Sequence, residues 1–582
     1  MKKYLFNIFL ILLFTNLHLE NCHKNKIRKN ILIIIFPGGQ HKNIYMKTLF
    51  DFSLNNNDEY DFYFDIVIHE SETKLWKNSL NKDKNNNKYK IHSYGSISDG
   101  IEKYDIDDLP KQNLFKFYQL KLRLYNQDFL DSEIITSLKS SRIKYSLLIT
   151  DRPNYIAVLC AKELLIHNKM YLSLRPFPQL FDKEKSFLNP SFIPSLGSEF
   201  TNLLTFKERC TNFYNYVSDR ILNFLSNYEI KYLYNVYDYP YINTNNYFYD
   251  NTIILIQYPM IITYPLSLPP HIIPINPIAL PYNYNLNNIE NDLNLKEINT
   301  FMNNYINNII LSKEILHQMK EDILSKIIIE MKVIGFIYVY DNEEKKFENK
   351  IKNLFILDYK KYGFESYEKV LYCLLSKNDV CGIITNSNFN EILISVYYSK
   401  PIISFGNGIY QQNINSYIKK NNIGVIINRN NINEYSSFIE AIKKIKRDNE
   451  YTSFVDPIKI IKRDDEEELY ETNNVYVKNC KKLSKILKLN YNNHPGEEFI
   501  KWLKFGIKNE YNNLKIHFYE QHNSFVINNY DIIIISLIII TIFFYLVILF
   551  CKKIFCNCCN CCSYFPFNKN KKEYGKNKIK KE

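Results

Sequence analysis

Glycine is what this chain most lacks, with 14 in 582 residues, about a third of the usual share. Motifs that depend on glycine turns are therefore expected in altered form. Cysteine is also thin through the body of the chain, where Cys160, Cys210, Cys373, Cys381 and Cys480 are too few for disulfides to organise the fold. A one-sided basic surface is missing too. The net charge is +13, but residues 551–582 hold nine lysines against two glutamates, so the remainder is close to balanced and no nucleic-acid partner is implied. What is present is apolar: 46% hydrophobic residues support real cores, and a length divided by roughly 150 gives three or four units at most. Asparagine, lysine, isoleucine and tyrosine are abundant, a bias that reads as compositional rather than functional.

The two ends read as signals for the membrane. Met1-Lys2-Lys3 followed by the apolar Tyr4–Phe14 is a basic and then hydrophobic leader, too short to span a bilayer, and residues 1–22 read as a cleaved secretory signal. Ile532–Phe550 is nineteen residues without a charge, the length of one transmembrane helix. The lysines after it place residues 551–582 in the cytoplasm and the bulk of the chain in the lumen, a single-pass type I arrangement. Lys578-Ile579-Lys580-Lys581-Glu582 has the spacing of a dilysine retrieval signal for the endoplasmic reticulum, with a merely solvated lysine run as the other reading. The tail cysteines Cys551, Cys556, Cys558, Cys559, Cys561 and Cys562 form overlapping pairs without histidine or a distal pair. That spacing disfavours zinc and leaves acylation or no modification.

Between the ends, β-branched runs alternate with helical patterns. Ile31–Ile35, Asp61–His69, Tyr145–Asp151 and Lys169–Leu174 read as strands, and Leu114–Leu124 and Tyr155–Leu165 as helices. A helical spacing runs from Gly197 to Tyr228. Seven prolines between Pro259 and Pro281 forbid regular structure and mark an interdomain bridge. A second α/β run follows, with strands expected at Lys332–Val339, Val380–Thr385, Pro401–Phe405 and Gly424–Ile427. His41, after Phe36-Pro37-Gly38-Gly39-Gln40, falls at the carboxyl edge of the first strand, and Asp151 ends a later one. Ligands bind at that edge of parallel sheets, so His41 is either a base or an exposed loop histidine.

Several stretches in one order resemble the UDP-glycosyltransferase family, including the UDP-glucuronosyltransferases. Phe36–His41 with Met46 is similar to its catalytic-histidine loop, and Leu148–Pro153 to the strand ending in the partner aspartate. Asn189–Pro194, Leu204–Arg209, Ile253–Pro277 and, near the C-terminus, Glu498-Phe499-Ile500, Leu514, Tyr519, His522, Tyr530 and Asp531 resemble further family elements. The resemblance implies a GT-B fold: an acceptor-binding Rossmann-like domain over 23–282, a nucleotide-sugar-binding one over 283–495, and helices returning to the membrane over 496–531. It implies inverting transfer from a UDP-sugar to a hydroxyl of a small lipophilic or lipid acceptor, without a metal, by an enzyme that often self-associates. His41 would be the general base and Asp151 its orienter.

The donor signature departs from the family. Thr385 stands in place, but Asn386-Ser387-Asn388 replaces His-Gly-Gly, the ribose glutamate becomes Ile394 and the sugar-binding aspartate becomes Tyr410, while Pro401 and Gln411 keep their separations. Asn308–Ser312 stands where the family has a strand and a glycine-containing turn. Thr385, Asn386, Ser387, Asn388, Asn390 and Gln411 are the expected donor contacts. Glu391 is the substitute carboxylate if the helix register shifts, and Tyr359, Tyr362 and Phe364 are the aromatic candidates for the base. The rival reading is an inactive glycosyltransferase-like binding or scaffold protein with a degraded donor site.

Overall fold

A computed structural model describes residues 26–36, 40–57, 59–80, 86–95, 125–151, 154–174, 176, 191, 193–239, 251–264, 268–282, 296–305, 307–340, 351–362, 364, 366–406, 408–427, 434–445, 474–491, 493–509, 511 and 530–558. The chain forms two compact units, Met1–Leu514 and Lys515–Glu582. Residues 1–25, the expected helix at Leu114–Leu124 and the tail beyond Cys558 lie outside the described residues.

The first unit holds two parallel sheets. One runs β3-β2-β1-β4-β5-β6-β7, with β1 Ile27–Ile35, β2 Tyr60–His69, β3 Tyr89–Tyr94, β4 Tyr145–Thr150, β5 Lys169–Ser173, β6 Thr252–Gln257 and β7 Ile272–Ile275. The other runs β10-β9-β8-β11-β12-β13, with β8 Asn307–Leu311, β9 Ile334–Tyr340, β10 Leu354–Asp358, β11 Val380–Thr385, β12 Ile402–Ser404 and β13 Gly424–Ile426. Helices connect most successive strands, as parallel pairing requires. The central strands are apolar almost throughout because helices cover both faces, and Ile31–Ile35 and Val380–Thr385 are wholly buried.

Each order reverses once. From β1 the chain winds outward through β2 and β3 and returns beside β1 as β4; from β8 it winds through β9 and β10 and returns as β11. The carboxyl ends of β1/β4 and of β8/β11 are therefore the two places where adjacent connections diverge and leave a crevice.

Proline does not keep the bridge wholly irregular. Ile272–Ile275 pairs with β6, Pro274 opposite Ile256, because this is the sheet's last strand and an edge tolerates a missing N–H. The helix expected from Gly197 instead starts at Phe206 and runs to Val236. Thr205 caps it and Glu208 returns a bond to the Thr205 N–H, so the turn before Phe206 is where the helix can begin.

One core cluster takes residues from both sheets and their helices, Ile33, Met46 and Leu255 among them with Ile310, Ile383 and Ile392. The helix Pro495–Lys508 comes back to the first sheet: Phe499 meets Phe50 at 5.8 Å, His494 stacks on Phe52 at 4.2 Å, and Asn168 Nδ2 donates to the Gly506 carbonyl at 2.6 Å. A methyl at Gly496 would lie 2.2 Å from the Phe52 ring, so this approach needs glycine.

In the second unit, Tyr530–Cys558 is a single helix. Its described side chains, Ile534 and those from Leu537 to Cys551, are exposed. Among the described residues no helix is long and apolar enough to cross a membrane.

Candidate active site

The first crevice is built by two strand ends. Asp151, one residue past β4, is buried, and its Oδ1 accepts the backbone N–H of Phe36, one residue past β1, at 2.9 Å. The turn below is held by Asn154, which caps the helix Tyr155–Glu163 through the Ala157 N–H at 2.7 Å and donates to Thr150 Oγ1 at 2.9 Å. His41 lies in the first turn of the helix Gln40–Asn55, at the same sheet edge; its side chain lies outside the described residues, as do Pro37–Gly39. β1 and β4 thus bring the backbone of His41 and the carboxylate of Asp151 to one sheet edge.

Sequence reasoning missed a second histidine there. His69 ends β2 and is buried; Nδ1 accepts the Ser71 N–H at 3.3 Å and lies 2.8 Å from Ser71 Oγ, which leaves Nε2–H for Asp128 at 3.3 Å. Tyr125 stands edge-on to His69 at 4.9 Å and to Phe36 at 5.5 Å, so this group adjoins the β1 end. The signal available was position, a histidine closing a strand as Asp151 closes another; Asp128 is too far along the chain to be paired with it by eye.

The second crevice is closed by a carboxylate. Glu391, third residue of the helix Phe389–Tyr397, is 1% exposed. Its Oε1 accepts from Ser312 Oγ and from the Tyr367 hydroxyl, both at 2.8 Å, and its Oε2 accepts from Thr385 Oγ1. Ser312 follows β8 and Thr385 ends β11, so this one side chain bridges the crevice. Burial and, second, the nearby Glu314 carboxylate push the Glu391 carboxyl up to about 7, against the three hydroxyl donors.

The expected donor residues gather here, mostly bonded to the protein itself. Asn386 Nδ2 donates to the Glu314 carboxylate, while its buried Oδ1 has no hydrogen-bond partner among the described residues. Ser387, at φ +70°, donates to Asn415 Oδ1 at 2.7 Å and accepts the Gly406 N–H at 3.0 Å. Asn388 caps the helix through the Asn390 N–H at 3.0 Å, and Gln411 Oε1 accepts the Gly408 N–H at 2.7 Å. Asn390 Oδ1 accepts from Gln257 of the first sheet at 3.2 Å. Ile394 is fully buried, and Tyr410 packs partly buried on the core. Tyr359 is buried beside Tyr367, Tyr362 donates to Glu297 at 2.8 Å, and Phe364 packs on the core.

The halves also meet through Tyr45, one helical turn after His41. Its hydroxyl donates to Glu368 Oε1 at 2.6 Å, and burial, followed by the Glu368 charge, holds that phenol well above its ordinary range. Among the described residues no group of three or more His, Cys, Asp or Glu is placed to hold a metal ion.

The family model described as UDP-glucoronosyl and UDP-glucosyl transferase matches residues 39–291. Over these residues the chain is similar to that family. The transferase match contains His41 and Asp151 and ends before β8, so the second sheet lies beyond it. Among solved structures, the spinosyn rhamnosyltransferase SpnG is similar at 10% identity, over 82% of this chain and 100% of that one, with a TM-score of 0.49. The glycotransferase of kitacinnamycin follows at 8% identity, 83% and 99% coverage and TM-score 0.48. A UDP-glucosyltransferase from Polygonum tinctorium stands at 12% identity, 84% and 100% coverage and TM-score 0.47. No curated protein matches this chain.

Proposed function

We propose that the chain is a membrane-anchored UDP-glycosyltransferase of the GT-B type that moves a sugar from a UDP-sugar to a hydroxyl of a small lipophilic or lipid acceptor, with inversion. The observation that carries this reading is the buried Asp151 carboxylate, fixed by the Phe36 N–H in the same crevice as the helix turn bearing His41. In this reading His41 takes the proton of the attacking hydroxyl, and Asp151 orients the imidazole and balances its charge. A base held this way accelerates attack by a weak oxygen nucleophile about 10²- to 10⁴-fold. The first sheet binds the acceptor, the second the UDP-sugar, and no metal takes part. The anchor is the uncharged run Ile532–Phe550, supported by its composition and by the exposure of its described side chains. In this reading, with the N-terminal leader and the lysine-rich tail, the protein resides in an endoplasmic-reticulum or other secretory-pathway membrane, with the bulk lumenal and self-association through that bulk.

Glu391 favours a second reading, a family descendant that binds acceptors but no longer uses a sugar donor, because its carboxylate spans the β8/β11 crevice. Calorimetry of the full chain in detergent with UDP and a panel of UDP-sugars separates the two. The enzyme reading expects donor binding and transfer that Asp151→Asn and His41→Ala nearly abolish. A folded chain that binds no donor at millimolar concentration, yet is stabilised thermally by lipophilic acceptors, supports the second reading.

A further inference from the structure

A helix N-terminus opening on a crevice between parallel strands is a place for an anion, because unpaired N–H groups and the helix dipole converge there. At the β8/β11 crevice the helix Phe389–Tyr397 begins in this way, and the anion next to its first turn belongs to the chain: the carboxylate of Glu391. The hydroxyls of Ser312, Tyr367 and Thr385 all point at it. A second carboxylate, that of Glu314, takes the amide of Asn386. Asn386 Oδ1, buried and without a hydrogen-bond partner among the described residues, is an acceptor and has nothing to offer a phosphate oxygen. These four side-chain donors are thus already given to carboxylates of the chain itself.

We infer that Glu391 is an internal anion that decides what this crevice admits: with its carboxylate in place a nucleoside diphosphate is excluded, and one enters only when that charge is neutralised or withdrawn. The inference rests on the reading of the second sheet as the donor-binding one, and it makes Glu391 a specificity-determining residue. Two negative charges at hydrogen-bond range in a water-poor site repel strongly, and the diphosphate would need the same hydroxyls. Among the described residues the titratable groups acting on Glu391 are Glu314, Tyr367 from the preceding helix Tyr367–Ser376 and Tyr45 from the first sheet's helix, itself bonded to Glu368; Lys313 lies 5.3 Å over the Tyr367 ring. Burial and Glu314 both favour the neutral acid, so the gate opens toward lower pH.

The probe is UDP, titrated by calorimetry into the full-length protein in detergent, as the parent, Glu391→Gln and Glu391→Ala, at about pH 5.5 and about pH 8, with thermal melts to establish folding. The parent is expected to bind UDP about tenfold or more weakly at the higher pH, and both variants to bind about tenfold or more tightly than the parent there, keeping only the pH dependence that the terminal phosphate of UDP itself brings. Uridine, which carries no phosphate, should change by less than about twofold between parent and variants. Equal UDP affinity of parent and variants at both pH values overturns the inference and leaves the donor reading standing. A gain for uridine as large as that for UDP also overturns it, since the side chain would then act by bulk. Failure of all three folded proteins to bind UDP overturns both.

Discussion

The two crevices of this molecule have the same topology and opposite contents. At β1/β4 the buried carboxylate of Asp151 accepts a backbone N–H from the neighbouring strand end, and the helix that follows carries a histidine in its first turn. At β8/β11 the buried carboxylate of Glu391 sits in the helix's own first turn and takes three hydroxyls. The comparison teaches that a switch point in a parallel sheet is a location and not yet a function. In the first crevice the carboxylate is fixed by a backbone N–H; in the second it is held by three side-chain hydroxyls.

The first crevice is broken most completely through its carboxylate. Asp151→Asn should reduce sugar transfer about 10²- to 10⁴-fold with donor affinity retained, read from initial rates against calorimetry. The second crevice is sharpened by pH. A carboxyl whose folded pKa is raised to about 7 binds its proton more tightly in the native state than unfolded, so its contribution to stability is complete below the ordinary carboxylate range and is lost as pH rises through 7. Denaturant melts at about pH 5 and pH 8 should show Glu391→Gln removing a loss of about 3 kcal/mol that the parent suffers between them. Tyr45→Phe leaves Glu368 without the phenol that joins the halves and should cost about 2 kcal/mol by the same melts. Asn154→Ala removes the helix cap beneath Asp151, with an expected loss of about 1 kcal/mol and a lower kcat at unchanged donor affinity.

Much of the scaffold was legible in the sequence because strands buried on both faces show as unbroken β-branched runs, and Val380–Thr385 is delimited to the residue. β3, Tyr89–Tyr94, was not, since its exposed Lys90 and half-buried His92 interrupt any such run. Pro274 misled because proline's penalty in a strand depends on whether the missing N–H had a partner, a fact of sheet order and not of sequence. The sheet-edge positions of His41 and Asp151 were legible in the apolar runs that precede them. Glu391 was visible only as a residue available after a register shift; with the helix starting at Phe389 no shift is needed for it to reach the crevice, because the third position of that helix already faces Ser312 and Thr385. Asp128 was out of reach because its pairing with His69 joins residues 59 apart in the chain.

The return of Pro495–Lys508 onto the Gln40–Asn55 helix has a consequence for biosynthesis. Phe50 and Phe52 find Phe499 and His494 only after nearly all of the first unit has been made. At roughly 5–20 residues per second, some 20 to 90 seconds separate the emergence of the two partners. For that interval the helix that carries His41 has one apolar side uncovered, and the first half of the protein waits on the ribosome for its last helix.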